Sequence, residues 1–227
     1  MILETPVQAN EVEEHNSPSI REVYADYEET FVILHPFLSV KEGHNIRFDT
    51  WKRPTKNDIF LGTVAISWSE VVKQANLKDI RELDRLLSYL HGARFDAERD
   101  AWLKLIRYLD SAKLYAAQTD NYPDVLINPT LEVLKFFGYN DILIYSDIID
   151  VKTSYPLSEL IESENMPPSS NARILTPDYK VLVATDFDAR FSYLSSDKET
   201  LKYIIEKVDL EGFYCNATTR YGWSYES

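Results

Sequence analysis

The sequence predicts an α+β protein in which a helical half packs on a mainly antiparallel sheet, with mixed topology left open. Three observations point there. Apolar residues recur at spacings of three and four between Lys78 and Gln118, the period of a helix face. The second half instead carries short β-branched and aromatic runs bounded by turn residues, among them "DILIYSD", "YKVLVA" and "ARFSYLS". The 227 residues are 44% hydrophobic and 13% aromatic, a globular composition able to bury a sizeable core.

Residues 1–16 are polar and acidic without an apolar period, and read as a flexible acidic arm. Ser17-Pro18 marks a helix start running to Tyr27, because proline tolerates the first helical position and serine can cap free amides. "TFVILHPFLSV" (30–40) reads as a buried strand, stopped or bent where Pro36 lacks an amide donor. "KEGHNIRFDTWKRPTKNDIF" (41–60) reads as a long polar connection. Ser67 with Glu70 forms a capping box before the short helix "WSEVVKQAN", and Asp79 with Glu82 opens the longest helical tract. Along that tract Leu83, Leu87, Leu90, Ala97, Ala101, Leu105 and Leu109 make an apolar stripe. Gly92 interrupts it, so the tract reads as two helices meeting near "HGA".

In the second half "DVLIN" reads as a strand, Asn128-Pro129 as the start of a helix that Gly138 ends, and "DILIYSD" as a strand. "SENMPPSSNA" (163–172) reads as a linker or surface loop. "RILT", "YKVLVA" and "ARFSYLS" follow as strands, the last two joined by a hairpin at "TDFD" (185–188). Ser196 with Glu199 caps a helix to Val208, and "GFYC" returns as a short strand. Residues 17–227 make one α+β domain, or two subdomains divided as 17–120, mainly helical, and 121–227, β-rich.

Lys and Arg number 24 against 37 Asp and Glu, a net charge of −13. Such a field repels phosphate backbones and anionic lipid, so neither nucleic acid nor a membrane is expected as a partner, whereas a basic protein is. No run approaches the roughly 18 apolar residues of a bilayer span. The first residues lack the basic start and apolar core of a signal peptide, and the only cysteine cannot form an internal disulfide. A cytoplasmic setting is therefore expected. In that setting the sequon Asn216-Ala217-Thr218 carries no chemical consequence. The glycines form neither GxxxxGK[ST] nor GxGxxG, and no GxSxG occurs. His15, His35, His44 and His91 show no HxxxH and no cysteine-paired spacing, so neither a cofactor nor a metal is expected.

Candidate chemistry is scattered. Arg94 continues an apolar stripe, with Glu98 one turn on and His91 and Arg99 nearby. This is either an anion site at the "HGARFDAER" bend or an internal ion pair. Asp186 and Asp188 lie two apart, so an extended segment would put both carboxylates on one face for acid–base work or a cation. Aspartate equally serves hairpin turns. His35 ends a strand, as a catalytic or a hydrogen-bonded structural imidazole. Cys215 is a nucleophile if a histidine approaches it, and otherwise a small buried hydrophobe. Arg220, Tyr221 and Trp223 place an arginine among aromatics, the composition of interface centres and of a tail docked on its own core.

Four segments, "FVILHPF", "ISWSEVV", "DYKVLVATDFDARFSYLSS" and "LEGFYCNATTRYGW", carry a resemblance. From Thr30 onward the chain resembles a family of uncharacterised bacterial proteins known as a domain of unknown function, of the 2711 type. The resemblance implies a bacterial cytosolic protein and brings no activity, cofactor or catalytic residue. The reading that follows is a non-enzymatic protein-binding module. The alternative is a small-molecule-binding or hydrolytic site built from His35, Arg94, Glu98, Asp186 and Asp188.

Overall fold

The structure is a computed structural model describing residues 1–5, 18–48, 54–89, 99–116, 118–146, 151–167, 172–186 and 189–220. Two sheets organise these residues. Strands β1 (Glu29–Leu34), β2 (Phe37–Val40), β3 (Thr63–Ile66), β4 (Leu114–Tyr115), β5 (Asp141–Ser146), β6 (Val151–Pro156), β7 (Ala172–Leu175), β8 (Leu182–Thr185), β9 (Phe191–Ser196) and β10 (Gly212–Tyr214) follow in chain order. The larger sheet has the order β10-β1-β9-β8-β7-β5-β6, and every pair in it is antiparallel. The smaller has the order β3-β2-β4. β1 thus lies between β10 and β9, strands from the other half of the sequence.

The central strands are buried on both faces, so they read as near-continuous apolar runs. Phe31 and Ile33 of β1, Val183 of β8 and Leu194 of β9 face one core. Helices α6 (Asp124–Phe136), α7 (Leu157–Glu162) and α8 (Lys198–Val208) cover it with Leu131, Leu134, Leu160, Leu201 and Ile204. Val32, Leu34, Ala184 and Tyr193 face the other core. Helices α1 (Ile20–Val23), α3 (Trp68–Gln74), α4 (Ile80–Tyr89) and α5 (Arg99–Ala112) close that side with Ile20, Trp68, Val71, Leu83, Leu87, Leu105 and Leu109. The fold is α+β, with helices on both faces of the antiparallel sheet. The expected stripe is real where it is described, while its members Leu90 and Ala97, and the bend at Gly92, lie outside the described residues.

Several elements depart from expectation. "DVLIN" is the start of α6, not a strand. The helix is buried almost all round, through Val125, Leu126, Ile127, Leu131 and Leu134, and such a short apolar run carries no period to tell helix from strand. Pro129 sits inside it, and Gly138 ends it at φ 91 with Tyr139 N–H bonded to the Leu134 carbonyl. The first helix is capped by Ser19 with Glu22 in a reciprocal box, and Ser17 lies outside the described residues. The last helix is capped by Asp197, whose carboxylate accepts from the Glu199 and Thr200 amides. Ser196 is instead the last residue of β9, its hydroxyl donating to the Lys180 carbonyl. The polar stretch 41–60 holds the start of α2 (Lys56–Gly62), capped by a Thr55–Asp58 box. Strand β6 and helix α7 form where the sequence marks no element.

The first five residues of the expected loose arm are held. Leu3 N–H donates to the Gly212 carbonyl and Gly212 N–H to the Met1 carbonyl, so this segment runs beside β10 and covers that sheet edge. Residues 6–16 of the arm lie outside the described residues.

Candidate functional site

The chain passes from the large sheet to the small one at His35-Pro36, since proline can continue neither ladder. There the His35 imidazole is fully buried and held at both nitrogens. Its Nδ1 lies 2.6 Å from the Gln118 carbonyl. A carbonyl can only accept, so Nδ1 carries the proton and Nε2 accepts from the Ser192 hydroxyl at 2.7 Å. Ser192 then has its oxygen free to accept from Thr185, the cross-strand partner at 2.7 Å. The hydrogen bonds thus run one way, Thr185 to Ser192 to His35 to Gln118.

A hydroxyl donating to a neutral imidazole whose other N–H is anchored has the order of a nucleophile–base pair. The surroundings turn it to another use. Ser192 and His35 are 0% exposed and Thr185 is 1%, so all three are sealed from a substrate. Burial pushes the imidazole down to about 4, against the opposing effect of its hydrogen bond to the Gln118 carbonyl, and the nearby Arg190 guanidinium adds a smaller push in the same direction as burial. At neutral pH this is an uncharged brace joining the ends of β1, β8 and β9 to the segment before α6.

Charged groups surround the brace. The His35 backbone N–H donates to the Arg190 carbonyl, and the Arg190 guanidinium lies 3.8 Å from the buried Asp84 carboxylate of α4. Asp186 follows Thr185 directly and is partly buried. The structure therefore brings His35 and Asp186 to one corner of the large sheet. Arg94, Glu98 and Asp188 lie outside the described residues. On the other side of His35 the Trp68 indole N–H donates to its carbonyl at 2.8 Å. The Trp68 amide is in turn capped by Glu211, which also accepts from Ser69.

Cys215 sits elsewhere, in the core with Ile20, Tyr24, Val32 and Phe213. Burial pushes its thiol up to about 12, the opposite of what a thiolate nucleophile needs. After it, the Asn216 side-chain oxygen accepts from the amides of Thr218 and Thr219 and from both hydroxyls, which makes the sequon a closed turn. Thr219 and Arg220 dock on α1 through the Ile20 amide and a bridge to Ser19. Tyr221 and Trp223 lie outside the described residues.

An aromatic group faces outward where α6 meets α8. Phe136, 70% exposed at the end of α6, stacks on Tyr203 of α8 with ring centroids 5.6 Å apart and planes at 4°. Phe137 meets the same tyrosine at 5.2 Å, and the Lys207 ammonium lies 5.6 Å above its ring.

A family model for a protein of unknown function, DUF2711, matches residues 15–225. The chain belongs to the DUF2711 family. The chain is also similar to the "Uncharacterized protein YwbB" of Bacillus subtilis (strain 168), 20% identical over 217 residues that cover 91% of this chain and 95% of that protein. No solved structure matches. The expected resemblance to an uncharacterised bacterial family is thus shown.

Within this DUF2711 chain, sequence reasoning missed three polar residues of the interior. Ser192 and Thr185 stand in strands whose two faces are both covered, so the hydroxyls in "VAT" and "RFSY" look like outward positions until the strands are known to be central. Lys56 falls in the stretch that reads as a polar connection, yet it is 1% exposed. Its ammonium donates to Asn128 Oδ1 at 2.8 Å and to the carbonyls of Leu160 and Ile161, which ties α2, α6 and α7 together. Desolvation lowers its pKa, against a weaker pull from Asp124. The T-x-x-D spacing of its helix start was the available signal. Among the described residues no group of three His, Cys, Asp or Glu could hold a metal ion, and no helix is long and apolar enough to cross a membrane.

Proposed function

We propose that this DUF2711 protein is a cytoplasmic, non-enzymatic protein-binding module with a basic protein partner. The observation that supports it is the outward stack of Phe136 on Tyr203. An aromatic side chain left in water at the meeting of two helices offers a rigid anchor at low entropic cost, the kind of residue that dominates binding energy at interfaces. The net charge of −13 supplies a field that draws a basic surface toward it and holds nucleic acid away. Arg220, with Tyr221 and Trp223, belongs to the same proposal as a second contact.

The test is capture from bacterial lysate by the native chain and by Phe136→Ser, with a salt series. The native chain retains a basic protein whose capture weakens as salt rises, and the variant loses at least about tenfold, as removal of one anchor of about 1.4 kcal/mol or more requires. Equal capture by a folded Phe136→Ser chain contradicts the proposal.

The second reading, a small-molecule or hydrolytic site built from His35, Arg94, Glu98, Asp186 and Asp188, draws support from the Thr185–Ser192–His35 chain ending one residue from Asp186. Asp186→Asn in a ligand screen distinguishes it, because only this reading makes a bound small molecule depend on that carboxylate.

A further inference from the structure

The two edges of the large sheet are treated differently. At β10 the first residues of the chain lie alongside and occupy Gly212. At β6, among the described residues, no backbone bonds to the outer side, and Val151, Lys152, Thr153 and Ser154 are all exposed, on both faces of the strand. A long open edge is a template for another strand.

We propose that β6 pairs with β6 of a second copy of this chain, antiparallel, with Thr153 on the twofold axis. The register follows from the ladder already present. Leu157 N–H donates to the Asn140 carbonyl at 2.8 Å, which makes 140 and 157 a hydrogen-bonded pair. Bonded and unbonded pairs alternate along an antiparallel ladder. Ile142 with Tyr155 and Ile144 with Thr153 are therefore bonded pairs, while Leu143 with Ser154 and Tyr145 with Lys152 are not. Pro156, which has no N–H, falls in an unbonded pair with Asp141, as this alternation requires. Lys152 and Ser154 accordingly turn their N–H and C=O groups away from β5, toward the open side.

Only one self-pairing uses these groups well. With the axis at Thr153, Lys152 of one copy bonds Ser154 of the other, and Val151 faces Tyr155, a β-branched residue opposite an aromatic. Shifting the axis to Lys152 sets Ser154 opposite position 150, before the start of β6, so only the Lys152 pair bonds within the strand. Shifting it to Ser154 sets Lys152 against Pro156, which cannot donate.

The self-complementary register selects a second copy as the occupant, and the charge at this edge does not oppose it. Two chains of net charge −13 repel over most of their surface, but Val151–Pro156 carries no carboxylate. Its single charge is drawn off the edge. The Lys152 ammonium donates to the Tyr179 hydroxyl at 2.9 Å and lies 4.6 Å over that ring and 5.9 Å over Tyr145, so it reaches inward across β5. Lysine is a common guard of open edges, and here it does not stand guard.

The test uses three single variants and sedimentation velocity. Native Cys215 is buried, so a cysteine on β6 is the one accessible thiol among the described residues. Residues on the axis of an unbonded pair have Cα atoms about 4.5 Å apart, within reach of a disulfide. Thr153→Cys therefore cross-links into a dimer under mild oxidation, whereas Ser154→Cys, opposite Lys152, does not. Ser154→Pro removes an outward N–H that β5 does not use, so the far-ultraviolet spectrum is kept and the apparent mass stays monomeric. The native chain approaches twice its monomer mass as concentration rises. A native chain that stays monomeric throughout, with Thr153→Cys unlinked, overturns the proposal. So does association undiminished in Ser154→Pro, or amide protection of Lys152 and Ser154 that is equally strong in the dilute monomer, which assigns the edge to another segment of the same chain. Binding of a basic protein is indifferent to all these outcomes, so the two proposals fail separately.

Discussion

The Glu211 carboxylate accepts the backbone N–H of Trp68 at 2.5 Å across 143 residues of sequence. It also takes the amide and hydroxyl of Ser69, at 3.1 and 2.5 Å, while the Ser67 side chain accepts from Glu70. The start of α3 is thus capped from the end of the chain, just before β10. Glu211→Ala leaves those buried donors empty and should cost about 2 to 3 kcal/mol, the range for hydrogen bonds to a charged group. Glu211→Gln keeps an acceptor and should cost less. Urea unfolding of both variants checks the order.

His35 makes stability depend on pH. Its folded pKa is held at about 4 against an ordinary value of 6.5. The unfolded chain therefore binds a proton first as pH falls, and stability is lost between about 6.5 and 4, while nothing is lost above that window. The full loss amounts to roughly 3 kcal/mol. His35→Gln should be less stable at pH 7 and show a flatter profile across the window. A native-like slope in the variant would assign the acid sensitivity to other groups. Asp178 and Asp197, held below their ordinary value of 3.8 chiefly by hydrogen bonds, lose their contribution only at lower pH.

Gly212 is where β10 closes on β1. A Cβ there would meet the Val32 carbonyl oxygen at 1.7 Å and the buried Phe31 ring at 2.7 Å, and the nearer of the two is backbone, with no flexible tip to move. Gly212→Ala should destabilise by more than about 3 kcal/mol, or prevent accumulation of folded protein, whereas alanine at Gly43, where nothing lies near but φ is +83, should cost only the backbone strain of about 1 to 2 kcal/mol. Thermal melts of the two variants provide the comparison.

Cys215 should be silent to thiol reagents in the native protein at pH 8 and react fully in denaturant, since burial pushes its thiol up to about 12. Rapid native labelling would place the thiol in an open site instead.

Much of the fold is legible in the sequence where a local rule and the tertiary environment agree. Ser67 and Asp79 open helices as their side chains allow, and Gly138 ends one through a positive φ. Pro36 divides β1 from β2 because it cannot donate to either ladder. The strands of "YKVLVA" and "ARFSYLS" pair as the expected hairpin, with Thr185 opposite Ser192.

The misreadings have physical causes. "DVLIN" is apolar on every side because α6 is buried between sheet and neighbouring helices, so its helical period is hidden. Serine and aspartate compete as caps at "SSDKE", and Asp197 wins because Ser196 is still bound into β9. Of the candidate residues, His35 and Asp186 are brought to one corner, and Cys215 goes to a separate core. No sequence rule could announce the Ser192–His35 bond, which depends on β1 and β9 lying side by side across 157 residues.

Hydrogen exchange of the captured complex tests the protein-binding account most directly. A partner seated on the Phe136–Tyr203 stack should slow exchange at the end of α6 and along α8, around residues 132–137 and 199–207, while β1 and β9 keep their free-state rates. Unchanged exchange on that face, or protection confined to the His35–Asp186 corner, contradicts it.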